Sequence, residues 1–190
     1  SKMKKKINIF SKEKNSKKTT FKPAAFLDRD GTINYDKGYT YKFSQFKFRP
    51  HVLRGLKYLN KRKYLIFIVS NQAGIAKGKF KLADLLKLNK QLLNYLSKKN
   101  IYINEIKFCP FHPNAIIKKY KKKTNYRKPG NLMIKSILNK WNVNLEKSFM
   151  IGDRLTDKMA AKKSKLYFEY ASRNFLDQVK KIARKIPSNY

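Results

Sequence analysis

The sequence predicts an α/β fold in which helices cover both faces of a mostly parallel central sheet. Continuous apolar runs at residues 24–27, 65–69 and 149–151 are too short to cross a membrane and are typical of buried parallel strands. Segments with apolar residues at helical spacing lie between these runs. Strands that alternate with helices join through right-handed crossovers, so we expect three layers with the sheet in the middle.

The helices are predicted from their apolar stripes. The first begins at Pro50, since proline favours the first turn of a helix, and the second follows Phe80. The third covers residues 132–141 and the last residues 175–186, and a further strand is predicted at residues 106–108. The side chains that these helices should bury are Val52, Leu53, Leu56 and Leu59; Leu82, Leu85, Leu86, Leu92, Leu93 and Leu96; Ile134, Ile137, Leu138 and Trp141; and Leu176, Val179 and Ile182.

Composition bounds the organisation of the chain. A length of 190 residues with 42% hydrophobic content suits a single domain, which we place at residues 21–190. Residues 1–20 are rich in Lys, Ser and Asn and are predicted to be a flexible basic extension. No segment between residues 34 and 48, or between residues 70 and 128, is long enough for a separate cap domain, so the site should be open and capless.

Cysteine content and hydropathy bear on the compartment. A single cysteine excludes an internal disulfide framework and fits a reducing compartment. No stretch approaches the roughly 20 apolar residues of a membrane-spanning helix. We therefore expect a cytoplasmic, monomeric protein with no membrane partner.

The most informative segment is the end of the first predicted strand, where the apolar run gives way to Asp28-Arg29-Asp30-Gly31-Thr32-Ile33-Asn34. Gly31 lets the chain turn away from the strand, and the side chains of Thr32 and Asn34 can hold this turn by hydrogen bonds. Two carboxylates two residues apart suit phosphoryl transfer beside a divalent metal, one as nucleophile and the other as acid and base. The same spacing also occurs by chance in loops and calcium sites.

Three further segments carry polar or charged residues at comparable places. The second strand ends in Ser70-Asn71-Gln72-Ala73-Gly74-Ile75, whose hydroxyl and backbone amides could hold a phosphate. Arg127-Lys128-Pro129-Gly130 precedes a helix, and the strand at residues 149–151 leads into Gly152-Asp153-Arg154-Leu155-Thr156-Asp157. Ligands bind beyond the carboxyl ends of such strands, where Asp28, Ser70 and Asp153 should converge.

These four segments, in this order, resemble the haloacid dehalogenase (HAD) superfamily of phosphatases over roughly residues 24–165. With Gly38-Tyr39, Gly74-Ile75-Ala76-Lys77-Gly78-Lys79-Phe80 and Cys109-Pro110-Phe111-His112-Pro113, the chain resembles the capless branch of D-glycero-D-manno-heptose 1,7-bisphosphate 7-phosphatases and histidinol phosphatases. The resemblance implies a HAD-like Rossmannoid three-layer fold and a role in carbohydrate metabolism. It also implies a small anionic sugar phosphate as substrate, with hydrolysis at the 7-phosphate of that heptose bisphosphate; the alternative is histidinol phosphate, which is not a sugar.

The resemblance further implies the catalytic and metal-binding residues. Asp28 would attack phosphorus, and Asp30 would protonate the leaving oxygen and then deprotonate the attacking water. Mg²⁺ would be held by Asp28, Asp153 and the backbone carbonyl of Asp30.

Binding and supporting roles are implied in the same way. Ser70 and Lys128 would bind the transferring phosphoryl group. Asp157 would orient Lys128 or a metal-bound water, or would only stabilise a helix N-terminus. Arg29 would reach the remote part of the substrate or lie at the surface. The other residues expected near the substrate or in support of the site are Asn34, Asn71, Gln72, Arg127 and Thr32.

The chain departs from this branch at its zinc loop. Many members carry Cys-x-His followed by Cys-x-Cys, and the corresponding residues here are Cys109, Phe111, Thr124 and Tyr126. Structural zinc takes four Cys or His ligands, so no zinc is expected. The lysine-rich residues 118–123 should form a solvated loop instead, and His112 could line the substrate pocket or lie at the surface.

The charge admits two interpretations. The formal net charge of +36, from 47 Lys and Arg against 11 Asp and Glu, is typical of a polyanion-binding surface and permits non-specific binding of nucleic acid. Only eight of those 47 are Arg, the better residue for phosphate recognition, so an A+T-rich genome would explain the lysines equally. Four of the 11 acids, Asp28, Asp30, Asp153 and Asp157, lie in the two acidic motifs.

Two other functions use the same motifs. A phosphatase acting on nucleic-acid 3′ ends would explain the charge, but the sequence indicates no basic groove interleaved with aromatic residues. A non-catalytic anion-binding protein would explain the lost zinc ligands, but every position that the chemistry needs is present.

Overall fold

The computed structural model describes residues 20–186, so the predicted basic extension lies almost entirely outside the described residues. Within that range five strands form one fully parallel sheet in the order β3-β2-β1-β4-β5. The strands are β1 (Ala24–Leu27), β2 (Leu65–Asn71), β3 (Glu105–Cys109), β4 (Phe149–Gly152) and β5 (Tyr167–Tyr170). The predicted α/β fold is confirmed, and the edge strand β5 is an addition to it.

Within residues 20–186, four α-helices connect the strands and a fifth follows β5. They are α1 (Val52–Lys61), α2 (Leu82–Ser97), α3 (Leu132–Lys140), α4 (Leu155–Lys163) and α5 (Phe175–Lys185). Helix α1 begins two residues later than predicted from Pro50, because His51 takes a left-handed backbone conformation with φ 62° before it. Helix α4 has no wide apolar stripe, since it buries mainly Asp157 and two alanines, and its sequence pattern did not predict it.

Alternation along the strands produces two cores, one on each face of the sheet. Ala25, Leu27, Ile66 and Ile68 point toward α1, α2 and α5. Phe26, Phe67 and Met150 belong to the opposite core, with side chains of α3 and α4. Strands buried on both faces are continuously apolar, which explains the runs seen in the sequence.

The strand order fixes the position of the site. The chain passes outward from β1 to β2 and β3 and then returns to the other side of β1 with β4. Strands β1 and β4 are paired directly, and the backbone N–H of Asp28 donates to the carbonyl of Ile151 at 3.0 Å. A crevice at such a reversal is where parallel sheets bind ligands, and Asp28 and Asp153 both follow directly on strands that border it.

Residues 20–186 contain no additional domain inserted between these elements and no helix long and apolar enough to span a membrane. The carboxyl edge of the sheet is surrounded by the loops at residues 28–51, 72–81 and 110–131. The site is therefore open, as its sequence predicted.

Candidate active site

A pocket of about 620 Å³ opens at the carboxyl edge of the sheet. That volume is typical of sites for small molecules. The residues that line it are Asp28, Asp30, Asp36, Gly38, Tyr39, Asn71, Gln72, Ala73, Gly74, Lys77, Arg127, Lys128, Arg154, Leu155, Thr156 and Asp157. Residues of all four sequence motifs thus meet in one place.

Lys128 is the buried centre of the site. Its Nζ donates to Asp28 Oδ1 at 2.8 Å, to Asp157 Oδ1 at 2.5 Å and to the carbonyl of Val69 at 2.8 Å. Burial lowers the pKa of Lys128, but the carboxylates of Asp28 and Asp157 outweigh that effect and raise it. Lys128 is therefore a fixed cation beside Asp28.

Asn71 holds the backbone of Lys128. Its Nδ2 donates to the Lys128 carbonyl and its Oδ1 accepts from the Lys128 N–H, both at 3.0 Å. These two bonds join the end of β2 to the loop before α3. Although Asn71 lines the pocket, its side chain is used to place Lys128.

The carboxylate of Asp28 is buried among other charges. Burial raises its pKa to about 8, Lys128 opposes this rise, and the nearby Asp157 and Asp153 add to it. Lys128 is bonded to two of these carboxylates, Asp28 and Asp157, and the Asp153 carboxylate lies close by. A divalent cation between Asp28 and Asp153 would offset their repulsion and favour the ionised form of Asp28.

The donor atoms fit Mg²⁺. Oxygen atoms of Asp28, Asp153 and Asp157 lie within 4.8 Å of one another, and these residues form the one such group of three acids, His or Cys in the described part of the chain. Asp157 uses one oxygen for Lys128 and the other for the N–H of Arg154 at 3.1 Å, which leaves Asp28 and Asp153 for a metal. Hard carboxylate oxygens are the ligands that Mg²⁺ prefers.

Gly31 is required beside Asp153. Its φ of +85° is a conformation that glycine adopts readily, and a Cβ at this position would overlap the Asp153 carboxylate. The turn after Asp30 thus leaves room for the second acid of the proposed metal site.

Asp30 is held by three side chains. Its Oδ1 accepts from Arg29 and Asn34, and its Oδ2 accepts from Gln72 at 3.1 Å. Arg29 is only 2% exposed and also donates to the carbonyl of Thr40 at 2.7 Å. The expectation that Arg29 lies at the surface is wrong. Its side chain does not line the pocket, and its guanidinium holds Asp30 Oδ1.

Three expected residues are buried: Asn34 and Thr32 lie behind the pocket wall, and Ser70 lies beside Gln72, which lines the pocket. Asn34 is fully buried under Asp30 and supports that carboxylate, so it is not placed to contact a phosphate. Thr32 is also fully buried, and its Oγ1 has no hydrogen-bond partner within residues 20–186, so the expected turn-stabilising bond is absent there. Ser70 is buried at the end of β2, where its Oγ accepts from Gln72.

Several residues of the pocket were not singled out from the sequence. Lys77 and Tyr39 lie in segments that carried the family resemblance, but nothing distinguished them there. Arg154 and Asp36 form an ion pair of 3.2 Å across the pocket mouth. No sequence signal could have linked these two, since they are 118 positions apart.

Exposed tyrosines and lysines occur together beside the mouth. Tyr39 is 43% exposed, with Lys79 Nζ 5.9 Å from its ring centroid. Tyr35, in the same loop, has Lys47 Nζ at 5.4 Å. The structure thus contains paired aromatic and basic side chains that the sequence alone did not indicate.

The loop after β3, where the resemblance would place zinc ligands, is closed by packing. Cys109 is buried at the end of β3, and burial raises the pKa of its thiol to about 11. Within the predicted solvated loop the lysines are exposed, but Tyr120 is buried and lies 6.3 Å from the ring of Phe111. His112 accepts a hydrogen bond from the N–H of Asn114 and does not line the pocket.

The paired acids, the buried lysine and the parallel sheet fit a phosphatase of the haloacid dehalogenase superfamily, and the family model and relatives described below show that the chain is a phosphoric monoester hydrolase of that superfamily. Within that superfamily it belongs to the family described as polynucleotide kinase 3 phosphatase, whose model matches residues 22–190.

Curated relatives carry a different substrate in their names. The chain is 37% identical over 141 residues to D-glycero-beta-D-manno-heptose-1,7-bisphosphate 7-phosphatase of Rhodopseudomonas palustris, which covers 74% of this chain and 78% of that protein. The identically named protein of Escherichia coli K12 is 35% identical over 139 residues, 73% of each chain.

Solved structures confirm the fold. An HAD-like phosphatase from Mesorhizobium loti has a TM-score of 0.78 at 24% identity, covering 90% of each chain. D,D-heptose 1,7-bisphosphate phosphatase from B. bronchiseptica, complexed with magnesium and phosphate, has a TM-score of 0.75 at 20% identity, covering 86% of this chain and 99% of that chain.

Proposed function

We propose that this chain is a magnesium-dependent phosphatase that removes the 7-phosphate of D-glycero-D-manno-heptose 1,7-bisphosphate through an aspartyl-phosphate intermediate. The observation that carries the chemistry is the contact of Lys128 Nζ with Asp28 at 2.8 Å, inside a pocket that also contains Asp30. A carboxylate beside a fixed cation at a sheet edge can approach a phosphate dianion, which would otherwise repel it.

In the first step Asp28 attacks phosphorus in line, and the bond from phosphorus to the sugar oxygen breaks. Asp30 gives its proton to that departing oxygen. Lys128 and the hydroxyl of Ser70 stabilise the charge on the phosphoryl oxygens, and Asp157 keeps Lys128 in place by its bond of 2.5 Å.

In the second step Asp30, now ionised, removes a proton from the water that attacks the aspartyl phosphate. Phosphate leaves, and Asp28 is regenerated. Mg²⁺, held by Asp28 and Asp153, would neutralise charge between the nucleophile and the phosphate when it is bound.

Three further cations of the pocket support a substrate with a second anionic group. Lys77, Arg127 and Arg154 line the pocket in addition to Lys128. Arg127 is half-buried, and its Nη1 is buried with no hydrogen-bond partner within the described residues, so it retains a donor for a ligand. A sugar bisphosphate supplies one phosphate for hydrolysis and a second for such a donor.

A nucleic-acid 3′ phosphate is the second candidate substrate. The paired Tyr35–Lys47 and Tyr39–Lys79 side chains could stack a base and bind its backbone beside the pocket mouth. The pocket itself, at about 620 Å³, lies in the range of sites for small molecules, which favours the heptose.

A substrate screen tests the proposal. Purified protein is assayed with Mg²⁺ against heptose bisphosphate, histidinol phosphate, other sugar phosphates and 3′-phosphorylated oligonucleotides, and then with EDTA. We expect the highest kcat/KM on the heptose bisphosphate and no turnover without a divalent cation. Activity that survives EDTA treatment would contradict the metal requirement, and turnover of no phosphate monoester would contradict the function.

A further inference from the structure

Gln72 is positioned between two functional side chains. It directly follows β2, and its backbone N–H donates to the carbonyl of Cys109 at the end of β3, at 2.8 Å. The residue is 5% exposed and lines the pocket. Its Nε2 lies 3.1 Å from Asp30 Oδ2 and 2.7 Å from Ser70 Oγ.

The chemistry of Asp30 fixes the orientation of the Gln72 amide. A carboxylate oxygen can only accept, so the NH₂ group and not the carbonyl oxygen must face Asp30. Both hydrogens of that NH₂ group are then used, one for Asp30 Oδ2 and one for Ser70 Oγ.

This orientation determines what the Ser70 hydroxyl can do. A hydroxyl has one proton and two lone pairs, and here a lone pair receives the hydrogen of Gln72. The proton of Ser70 is therefore turned away from Gln72 and, in the proposed mechanism, is donated to a phosphoryl oxygen. The opposite amide orientation would have drawn that proton to Gln72.

The same contact distinguishes the two oxygens of Asp30. Oδ1 accepts from Arg29 Nε at 3.1 Å, Arg29 Nη2 at 2.8 Å and Asn34 Nδ2 at 2.9 Å, so its acceptor capacity is filled. Oδ2 accepts from Gln72 alone. Oδ2 is thus the oxygen with a free lone pair for a proton.

We propose that Gln72 is a positioning residue that directs the Ser70 proton toward the phosphoryl group and presents Asp30 Oδ2 for proton transfer. Oδ2 gives its proton to the departing sugar oxygen as the bond to phosphorus breaks, and later takes a proton from the attacking water. This inference rests on the proposed roles of Asp28 and Asp30.

The contact between Gln72 and Asp30 is tested by comparing kcat/KM for two substrates whose leaving groups differ in their need for a proton. Gln72→Met keeps the size of the side chain and removes both hydrogen bonds. We expect kcat/KM to fall roughly 10- to 100-fold on an alkyl phosphate, whose leaving oxygen needs a proton. The loss should be clearly smaller on p-nitrophenyl phosphate, whose leaving group departs without one. Equal losses on the two substrates would overturn this half of the inference.

The Ser70 contact is tested by a double-mutant cycle on p-nitrophenyl phosphate, where the proton from Asp30 is not required. If Gln72 acts through Ser70, Gln72→Met should have little further effect once Ser70→Ala is present, within about threefold. If the losses of kcat/KM in the two single variants multiply in the double variant, the inference that Gln72 acts through Ser70 is wrong.

Gln178→Met is the matched control. Gln178 is a buried glutamine of α5 that bonds Glu169 and the carbonyl of Tyr170, away from the pocket. The Gln178→Met variant should have a lower Tm and an unchanged kcat/KM of the folded protein.

If Gln72→Met does not fold, the nearly isosteric Gln72→Glu replaces it, because the new carboxylate is repelled by Asp30 and accepts the Ser70 proton in a hydrogen bond. Wild-type protein inactive on both substrates would overturn the proposed function and the inference with it.

Discussion

The two acids of the first motif are treated very differently by their neighbours. Asp28 is buried against Lys128, whereas Asp30 is oriented by Arg29, Asn34 and Gln72. A nucleophile needs a nearby cation and little freedom, and a proton carrier needs a fixed direction. Lys128 supplies the cation for Asp28, and the three hydrogen-bond donors fix the direction of the Asp30 carboxylate.

We expect Asp28→Asn to abolish turnover and Asp30→Asn to lower kcat by roughly 10²- to 10⁴-fold. The amide at position 28 cannot attack phosphorus or hold a metal as a carboxylate does, while position 30 affects only proton transfer. Steady-state kinetics with Mg²⁺ measure both changes, and Asp177→Asn on α5 serves as an acid-to-amide control outside the pocket. Wild-type rates in Asp28→Asn would exclude the covalent mechanism.

Helix α4 shows how one side chain can serve an element and the site together. Asp157 is the third residue of α4, where one oxygen accepts from the backbone of Arg154 and the other from Lys128. The sequence left these two roles as alternatives, and the structure contains both. Gly152 permits this arrangement, because a Cβ there would overlap the Asp157 side chain.

Asp84 offers a matched comparison for Asp157. It is the third residue of α2 and accepts from the backbone of Lys81 at 2.8 Å, but it does not line the pocket. Asp84→Ala and Asp157→Ala should each lower the free energy of unfolding by about 1 kcal/mol, because each removes a hydrogen bond at a helix N-terminus. Asp157→Ala should lower it by about 1–3 kcal/mol more, because the buried Lys128 ammonium loses one of its two carboxylate partners.

Chemical denaturation and kinetics of both variants separate the two contributions. Asp84→Ala should keep wild-type kcat/KM, and Asp157→Ala should not. Equal stability losses together with unchanged kinetics would mean that Asp157 acts only at the helix terminus.

The loop between β3 and α3 is expected to depend on packing and not on zinc. Tyr120 is buried in the same core as α1 and α2, and the N–H groups of Ile116 and Ile117 both donate to the carbonyl of Ala76. We expect no stoichiometric zinc by elemental analysis and no change of Tm with a zinc-selective chelator. One zinc per chain would contradict this prediction.

Tyr120→Ala should lower the free energy of unfolding by about 3 kcal/mol, since it removes a large buried side chain. Tyr102→Ala is the control, because Tyr102 is 54% exposed. This variant should change the free energy of unfolding by no more than about 0.5 kcal/mol. A Tyr120→Ala variant as stable as its control would show that packing does not close this loop.

At the scale of the whole molecule, the sequence allowed prediction of the sheet, most helices and the convergence of four motifs. These features follow from apolar periodicity and from the geometry of parallel strands. The roles of Arg29 and Gln72 could not be predicted, since they depend on hydrogen-bond directions between side chains. Helix α4 was predicted only as a possible helix N-terminus at Asp157, because it buries an acid and alanines and has no apolar stripe. Strand β5 was missed because it is only partly buried. The Arg154–Asp36 pair depends on tertiary approach alone.

The net charge of +36 and the size of the pocket favour different substrates. A field of this strength attracts any polyanion, so DNA should bind, and its affinity should fall steeply with salt as counterions are released. The pocket can enclose a small bisphosphate, whose second anion is matched by Arg127 and Lys77. Binding by general charge and hydrolysis in the pocket are thus separable properties.

We therefore expect kcat/KM at physiological ionic strength to be far higher for D-glycero-D-manno-heptose 1,7-bisphosphate than for any 3′-phosphorylated oligonucleotide. Unphosphorylated DNA in excess should inhibit heptose hydrolysis only at low salt. Lys47→Ala with Lys79→Ala should weaken DNA binding and leave heptose kinetics unchanged, because Lys47 and Lys79 lie over the exposed tyrosines and do not line the pocket. A clear preference for the oligonucleotide, lost in that double variant, would transfer the assignment to nucleic-acid ends and make the lysine-rich surface part of substrate recognition.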